Sequence, residues 1–259
     1  MSSLFATQLR RLARRSVVRT FRDPANVAPG IIIPILLFFV LGKGLQSVTS
    51  LKGFPTDNFE DFALIVAFME GGLLATITAG QMMALDIETG FVNRLALTPI
   101  RQTALLASQL AGPLLLGLID AAVYVGVGYA AGVRPEAGPA GMVTLVVLFL
   151  LIVLAFGTMG MFVGLRTGSS GAVQAMVPLT TIVLFLSSAV FPRNLIEKDW
   201  FKWIATVNPI SYLVEGMRSL VITGWDVQAL GLGFAIAAGG FLLMLVAAAA
   251  AMRGRLVRT

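Results

Sequence analysis

Six long apolar segments, separated by short polar links, constrain the fold of this chain more than any other feature of its sequence. Each is long enough to cross the ~30 Å hydrocarbon layer of a bilayer as an α-helix, which rises about 1.5 Å per residue. Hydrocarbon offers the backbone no hydrogen-bond partner, so such segments must satisfy their own amides as helices. The sequence therefore predicts an all-α, polytopic membrane protein. The six segments are residues 27–45, 62–85, 105–131, 142–165, 172–191 and 227–252.

The composition supports this interpretation. Hydrophobic residues make up 57% of the chain and charged residues only 12%, whereas an average soluble domain is about 25% charged. The six segments use most of the length, so we expect a single transmembrane domain over residues 1–259. The chain has no cysteine and no histidine, which excludes thiol chemistry, zinc sites built on those ligands and imidazole acid–base catalysis.

Lysine and arginine are distributed unevenly between the two sides that six spans would define. The side that holds both termini carries twelve of the 19 basic residues, and six of these lie within residues 10–22. Because cytoplasmic loops carry the excess of basic residues, this bias predicts that both termini are cytoplasmic. The excess of arginine over lysine, together with abundant Ala, Gly and Val, is typical of a GC-rich bacterial genome. We therefore expect the bacterial cytoplasmic membrane.

Residues 1–25 predict an amphipathic helix that lies along the membrane surface. Apolar side chains recur near one helical face, and arginines occupy many of the other positions. Such a helix inserts its apolar face into the interface and presents its basic face to anionic headgroups. A solvated basic arm is the alternative. The apolar residues are Leu4, Phe5, Leu9, Leu12 and Val17.

The longest polar stretch on the predicted cytoplasmic side, residues 83–102, reads MALDIETGFVNRLALTPIRQ. Asp86 and Glu88 open it, as acidic residues do near a helix N-terminus, and Pro99 stops any helix. A short helix that projects from the membrane between these limits is a shape that can dock into a soluble partner. An ordinary solvated connector is the alternative.

The last predicted outer connection, residues 192–226, contains two amphipathic patterns separated by Asn208-Pro209. They predict an outer hairpin of two short helices, because proline interrupts a helix. Glu215 and Arg218 are three residues apart and can pair on one helical face. A plain amphipathic surface loop is the alternative. The first pattern is Trp200, Ile204 and Val207, and the second is Leu213, Met217, Leu220 and Val221.

Two stretches of the chain resemble motifs of the ABC-2 type permeases. One is similar to the family's cytoplasmic motif, and it consists of Asp86-Ile87-Glu88-Thr89-Gly90, Arg94-Leu95, Leu97-Thr98-Pro99 and Arg101. The other is similar to the family's N-P-x-[ST]-Y-x-x-E-x-x-R stretch before the last span, and it reads Asn208-Pro209-Ile210-Ser211-Tyr212-Leu213-Val214-Glu215-Gly216-Met217-Arg218. The resemblance covers essentially the whole chain and is closest to the drug and lipid exporter permeases of the daunorubicin-exporter kind.

The resemblance implies a division of labour between subunits. Such permeases form two-subunit transmembrane units, either a homodimer or a pair with a related permease, and each subunit binds a separate cytoplasmic ATPase. ATP and magnesium belong to that ATPase, so this chain is expected to bind no cofactor, no metal and no nucleic acid, and to contact membrane lipids. The substrate implied is a lipophilic or amphiphilic compound such as a drug, a lipid or a natural product.

The resemblance also assigns roles to residues. It implies a coupling helix between spans 2 and 3 and short re-entrant outer helices before span 6. The implied coupling residues are Asp86, Glu88, Gly90, Arg94, Leu95, Leu97, Thr98, Pro99 and Arg101. The implied outer re-entrant motif comprises Asn208, Pro209, Tyr212, Glu215 and Arg218.

An energy source outside this chain is indicated by the residues themselves. A Walker A loop needs G-x-x-x-x-G-K-[ST], because its glycine amides cradle phosphates and its lysine reaches them. The chain's lysines lack that context, so it is not an ATPase of this type by itself. The lysines are Lys43, Lys52, Lys198 and Lys202.

Two carboxylates lie within apolar segments: Glu70 in the second and Asp120 in the third. A charged carboxylate in mid-membrane costs about 2.5–3.5 kcal/mol on insertion scales, so such residues normally face a cavity, a partner or a functional path. One interpretation is a substrate-facing or proton-binding site, in which Glu70 offsets the charge of a cationic substrate. The other is a buried carboxyl that is protonated or bonded to a neighbour.

Two further features leave alternatives open. Gly157, Gly160 and Gly164 include a GxxxG spacing that allows close helix approach, and a dimer interface is one use of it. The rival functions are a polysaccharide or glycolipid exporter of the same family and a proton-coupled secondary transporter that uses Glu70 and Asp120. The second rival predicts internal repeats and broken mid-membrane helices, and the sequence contains no convincing repeat.

Overall fold

The computed structural model describes residues 2–22, 24–96 and 102–256, and every regular element within those ranges is helical. The α-helices are α1 Ser2–Arg22, α2 Pro24–Gly44, α3 Phe59–Glu88, α4 Phe91–Ala96, α5 Gln102–Gln109, α6 Ala111–Ala131, α7 Gly138–Thr167, α8 Ser170–Gln174, α9 Met176–Phe185, α10 Asp199–Val207, α11 Pro209–Arg218 and α12 Val227–Leu256. Two short 3₁₀ helices, Gln46–Ser50 and Arg193–Leu195, and a π-helical turn, Ser219–Thr223, complete the order.

Five of the six predicted spans are confirmed as helices long and apolar enough to cross a membrane. They match the predicted segments 27–45, 62–85, 105–131, 142–165 and 227–252, with longer ends in several cases. Local signals set some of these ends. The Asn58 side chain accepts a hydrogen bond from the Glu60 amide at the start of α3. Helix α7 ends at Thr167, because the next residue, Gly168, has a φ of +62°. The five spans are Val27–Gly44, Phe59–Glu88, Gln102–Ala131, Gly138–Thr167 and Val227–Arg255.

The predicted fifth segment, residues 172–191, differs from the structure in extent. Its apolar helical part is Ser170–Phe185, about 24 Å long at about 1.5 Å per residue, and it breaks at Ala175 between α8 and α9. Pro178 explains the break, because it has no amide to donate to the carbonyl four residues earlier. The chain leaves the helix after Phe185 and turns.

Contacts at the two ends of the bundle define the path of the chain. At one end, Arg15 of α1 bonds to Asp86 near the end of α3, and Ser170 at the start of α8 bonds to Glu88. Arg255 of α12 reaches the end of α7 at this same end of the bundle. Both ends of the described chain therefore lie at one end of the bundle.

The opposite end of the bundle is marked by the first turn of α3. There Arg218 lies over the Phe62 ring and donates to the carbonyl oxygen of Ser188, in the turn after α9. Because α8 begins at the Glu88 end, α8, α9 and the following turn run the length of the bundle despite their short helical part.

Helix α3 occupies the centre and packs against α2, α6 and α7. In the 18-residue apolar core of its span 89% of residues are buried, compared with 11% in the corresponding part of α12. Helices α3 and α7 run parallel and approach so closely that a side chain at Gly160 would overlap the Thr76 carbonyl group. A side chain at Gly80 would lie 2.8 Å from the Gly160 carbonyl oxygen. The core of the subunit is thus a backbone-to-backbone contact.

This contact settles how the GxxxG spacing of α7 is used. Gly160 and Gly164 both face α3 of the same chain, where a side chain at Gly164 would meet Gly80 and Ala84. A dimer interface at these two glycines is therefore wrong. These glycines instead let α7 approach α3 within the subunit. Small residues allow membrane helices to pack closely where no hydrophobic force drives them together.

We expect the Gly160→Ala variant to unfold at a temperature several degrees lower than the wild type. The new methyl group must push α3 and α7 apart, and overpacking of this kind costs about 1–3 kcal/mol. Thermal unfolding in detergent, followed by tryptophan fluorescence, measures the shift.

The matched control for Gly160 is Gly126→Ala in α6, where an added Cβ meets no atom within 4 Å. We expect its unfolding temperature to equal that of the wild type or to exceed it slightly. Equal unfolding temperatures for the two variants would contradict the close α3–α7 contact.

Candidate functional site

The candidate site lies at the end of the bundle that holds both ends of the described chain, where α3 ends and the short helix α4 follows. Gly90 lies between them with a φ of +68°, a left-handed conformation that glycine adopts without strain. The structure thus contains a short helix, Phe91–Ala96, within the predicted coupling segment. Leu95 belongs to this helix. The other predicted coupling residues, Leu97, Thr98, Pro99 and Arg101, lie outside the described residues.

Asp86 does not open the polar segment 83–102 but belongs to the last turn of α3, where its side chain is fully buried. Its Oδ1 and Oδ2 accept hydrogen bonds from Arg15 at 2.6 and 3.0 Å. Arg19 donates to Oδ1 at 2.6 Å, and the Gln109 amide donates to Oδ2 at 2.6 Å. This carboxylate therefore joins α1 and α5 to α3.

The prediction that Asp86 and Glu88 stand near a helix N-terminus is consequently wrong. Both lie at the C-terminal end of α3, where the helix dipole disfavours an acidic residue. The two arginines of α1 compensate for the charge of Asp86. Their side chains are only 36% and 32% exposed, so water screens this cluster less than a surface ion pair. We call Arg15, Arg19, Asp86 and Gln109 the α1 clamp.

The α1 clamp also reaches α4. The Arg15 guanidinium carbon lies 3.7 Å from the centre of the Phe91 ring, a cation–π contact. Polar contacts hold α1 further along its length, since the Ser16 hydroxyl donates to the Gln109 carbonyl at 3.2 Å and accepts from the Gly112 amide at 3.2 Å. The α1 clamp therefore connects α4 with α1, α3 and α5.

The face of α1 that packs on the bundle includes the buried polar residues Ser16 and Thr20, and Leu12 packs against an apolar cluster of the bundle. The predicted apolar residues Leu9, Leu12 and Val17 are only partly buried, as suits a helix that leaves apolar surface for a membrane. Sequence reasoning missed Arg15, Arg19 and Gln109 as partners of Asp86. Regular arginine spacing along α1 carries no information about a carboxylate about 70 residues away.

Two charged side chains of the segment remain on the surface. The Glu88 carboxylate is exposed and accepts two hydrogen bonds of 3.0 Å from Ser170, at the start of α8. Arg94, on α4, is exposed and donates weakly to the Thr89 carbonyl at 3.4 Å. These residues, unlike Asp86, are free to meet a soluble partner.

The intramembrane carboxylates lie inside the subunit. Asp120 is buried and lines a cavity of only about 10 Å³ next to Gly30 of α2, about the space of one water at most. The hydroxyl of Tyr124, one turn further along α6, donates to the Gly30 carbonyl. Glu70 is also buried, and Glu70 Oε2 and Asp120 Oδ1 have no hydrogen-bond partner among the described residues. A drug-sized molecule does not fit beside them.

The outer motif forms a second polar cluster, with partners that differ from the prediction. Glu215 pairs with Arg193, Nε to Oε1 at 2.7 Å, and accepts a hydrogen bond from the Ser188 hydroxyl at 3.0 Å. Arg218 donates instead to the Ser188 and Ala189 carbonyls at 2.7 and 3.1 Å. The predicted Glu215–Arg218 pair is therefore wrong, because both side chains are occupied by the turn after α9.

Arg218 is also packed against the ring of Phe62, with its guanidinium carbon 3.5 Å from the ring centre. Burial lowers the pKa of the Arg218 guanidinium to about 9, and the charge of Glu215 opposes this shift. Arg218 therefore remains protonated at neutral pH.

The other residues of the outer motif hold the hairpin together. Asn208 Oδ1 accepts from the Ile210 amide at 2.9 Å and so caps α11, while its Nδ2 donates to the Val183 carbonyl at 2.7 Å. The Tyr212 hydroxyl donates to the Thr206 carbonyl at 2.8 Å. The break at Asn208-Pro209 is confirmed, with α10 on one side and α11 on the other. Across residues 2–22, 24–96 and 102–256 no group of three acidic side chains could hold a metal ion.

We expect the Asp86→Asn variant to release α1 from the bundle. Loss of the negative charge leaves Arg15 and Arg19 without a counter-ion. Because these arginines are about one-third exposed, the cost should be about 1–3 kcal/mol, less than the about 3–5 kcal/mol of a fully buried pair. Tryptic cleavage after the α1 arginines should then accelerate at least about fivefold, since a small free-energy change multiplies the open population.

Glu88→Gln is the control for the α1 clamp, because Glu88 is a nearby carboxylate that bonds to α8 rather than to α1. In the same assay, trypsin should cleave α1 of the Glu88→Gln variant at the wild-type rate. Equal acceleration in both variants would show that Asp86 does not hold α1 specifically.

Comparison with known proteins identifies relatives over most of the chain. The family model for the ABC-2 type transporter matches residues 7–222. A protein of Mycobacterium tuberculosis described as a doxorubicin resistance ABC transporter permease, DrrC, is 24% identical over 225 residues, covering 85% of this chain and 79% of its own. The daunorubicin resistance ABC transporter permease DrrB1 of Streptomyces coeruleorubidus is 28% identical over 210 residues, covering 78% and 70%.

A plastid relative also appears: the Porphyra purpurea protein ycf38, described as a transport permease, is 26% identical over 230 residues, covering 85% of this chain and 76% of its own. The family is a membrane transporter component that is not catalytic by itself, and its members normally work with an ABC ATPase. The family match extends over most of the helical bundle described above. This chain therefore belongs to the ABC-2 type transporter family, as a multi-pass membrane permease.

Proposed function

We propose that this chain is the permease subunit of an ATP-driven exporter that moves a lipophilic or amphiphilic compound out of the cytoplasm or the inner leaflet. The observation that best supports the proposal is the set of contacts that joins α4, through the α1 clamp, to the central helix α3. Relatives described as doxorubicin and daunorubicin resistance permeases support a drug-like substrate.

The membrane topology of the proposal follows from the path of the chain. Helices α8 and α9, with the turn after them, form the sixth crossing, so that both termini face the cytoplasm of a bacterial cell. The basic residues of α1 and the Arg253 and Arg255 side chains at the end of α12 support this orientation. In this orientation α10 and α11 lie at the outer leaflet, where exposed Trp200 and Trp203 suit the headgroup region.

The partners follow from the same reasoning. Two permease copies, or this chain and a related permease, form the transmembrane unit, and each binds one ATPase subunit through α4 and its flanks. ATP and magnesium are held by the ATPase. Closure of the two ATPase subunits would move α4, and with it α1, α3 and α5, as a rigid body. The substrate would then pass along the interface between the two permeases.

A photoreactive amino acid placed at Arg94 tests the ATPase contact without knowledge of the partner's identity. We expect irradiation of cells that express the full chain in its own genomic context to cross-link position 94 to a protein that contains the G-x-x-x-x-G-K-[ST] loop. Arg94 is exposed on α4 and makes only one weak internal bond, so its replacement should leave the fold intact. Mass spectrometry of the product identifies the loop.

Arg134 provides the matched control, because it is an exposed arginine at the opposite end of the bundle that also bonds to backbone carbonyls. The same photoreactive residue at position 134 should capture no P-loop protein. Cross-linking of a P-loop protein at position 134, or the absence of such a cross-link at position 94, would contradict α4 as the docking helix.

The buried carboxylates allow a test of the substrate path. We expect Glu70→Gln and Asp120→Asn to reduce export of a cationic and of a neutral amphiphile by the same factor, because both carboxyls lie inside the subunit rather than on an open path. ATP-driven uptake of a fluorescent substrate of each kind into inverted vesicles measures the ratio. A selective loss of cation export, about tenfold or more, would instead identify Glu70 as a counter-charge for the substrate.

A further inference from the structure

A groove of about 520 Å³ opens between the last turns of α7 and α12, at the same end of the bundle as α4. Phe162 and Leu165 form one wall, and Ala250 and Gly254 form part of the other. Two arginines lie at its cytoplasmic end, Arg166 from α7 and Arg255 from α12.

The charge of this groove is positive and uncompensated. No acidic residue lines it, and in the described part of the chain no carboxylate oxygen lies within 4.0 Å of Arg166 or Arg255. Glu88, at the end of the neighbouring helix α3, bonds to Ser170 and to neither of these arginines. Two cations that line one groove without a counter-ion favour an anionic ligand.

The Arg255 side chain is held in position. Its Nη1 donates to the Leu165 carbonyl at 2.8 Å, which fixes the guanidinium across the end of α7 and leaves other N–H groups to meet a ligand. Arg166 is exposed at the end of the same helix. An arginine fork of this kind recognises phosphate oxygens through charge-assisted hydrogen bonds.

The shape of the groove matches a lipid better than a soluble anion. Its lining on α12 runs from Ala247 to Arg255, about 12 Å along the helix, with the apolar walls toward the membrane centre and the arginines toward the cytoplasm. Exposed Leu243 and Val246 continue the apolar surface beyond it. A phospholipid has this same order of polar head and apolar chains.

We propose that this groove binds one anionic phospholipid of the inner leaflet. Its phosphodiester lies between Arg166 and Arg255, and its acyl chains follow Phe162 and Ala250 toward Val246. Basic pockets between transmembrane helices at the cytoplasmic side are suited to such headgroups. The bound lipid bridges α7 and α12, and its binding requires no ATPase partner, so it can be tested independently of the export function.

Native mass spectrometry of the purified full chain in detergent tests the proposal. Phosphatidylglycerol should remain bound in preference to phosphatidylcholine of the same acyl chains by about tenfold or more, as two arginines near the headgroup imply. The Arg166→Gln/Arg255→Gln variant should lose this preference. Arg134→Gln, the same change at the opposite end of the bundle, should retain it.

Two further experiments distinguish a lipid site from a site for a soluble anion. Ala250→Phe fills the groove but keeps both arginines, so it should reduce phosphatidylglycerol retention about as much as the double variant does. Millimolar glycerol phosphate should leave the lipid bound. If the double variant does not fold, Arg166→Gln alone, at an exposed residue, should still lose part of the preference.

Unchanged phosphatidylglycerol preference in the arginine variants would overturn the proposal. Complete displacement of the lipid by glycerol phosphate would overturn it as well, because it would show that the groove recognises a soluble phosphate rather than a membrane lipid.

Discussion

The backbone contact between α3 and α7 is the constraint on which the rest of the structure depends. In hydrocarbon no hydrophobic force brings helices together, so close packing must supply the attraction. Gly80, Gly160 and Gly164 provide it, because the absence of side chains lets carbonyl groups of one helix lie against the other. With α7 seated this closely, α3 becomes the buried axis on which α2 and α6 also pack.

Polar interactions complete the arrangement at the two ends of α3 rather than at its middle. At the α4 end Asp86 binds α1 and α5. At the other end Glu60 pairs with Lys43 of α2, and Phe62 lies beneath Arg218. Charges cost least near the ends of membrane helices, so these positions let polar groups select which neighbours approach α3. The Asp86 end of α3 thus contacts the predicted coupling region, and the Phe62 end contacts the predicted outer hairpin.

The sequence predicted the features that depend on local composition. Length and apolarity located five spans, a Pro after Asn located the break between α10 and α11, and the basic residues located one end of the bundle. The extent of segment 172–191 was wrong because the helix ends at Phe185, where the chain turns although its composition remains largely apolar. The roles of individual polar residues were predicted less well. Asp86 was placed near a helix N-terminus but lies buried in the last turn of α3, and Glu215 was paired with Arg218 but binds Arg193.

By itself, the sequence determined that this chain is a helical membrane protein of the ABC-2 type transporter family, with basic residues concentrated at one side. Those properties follow from runs of residues and from short motifs, which a chain carries whether or not it is folded. Only the tertiary structure decided that Gly160 and Gly164 join α7 to α3, that Asp86 holds α1, and that Arg166 and Arg255 face one groove. Each of these outcomes depends on residues far apart in the chain that come together only when the helices pack, and local spacing contains no record of that packing.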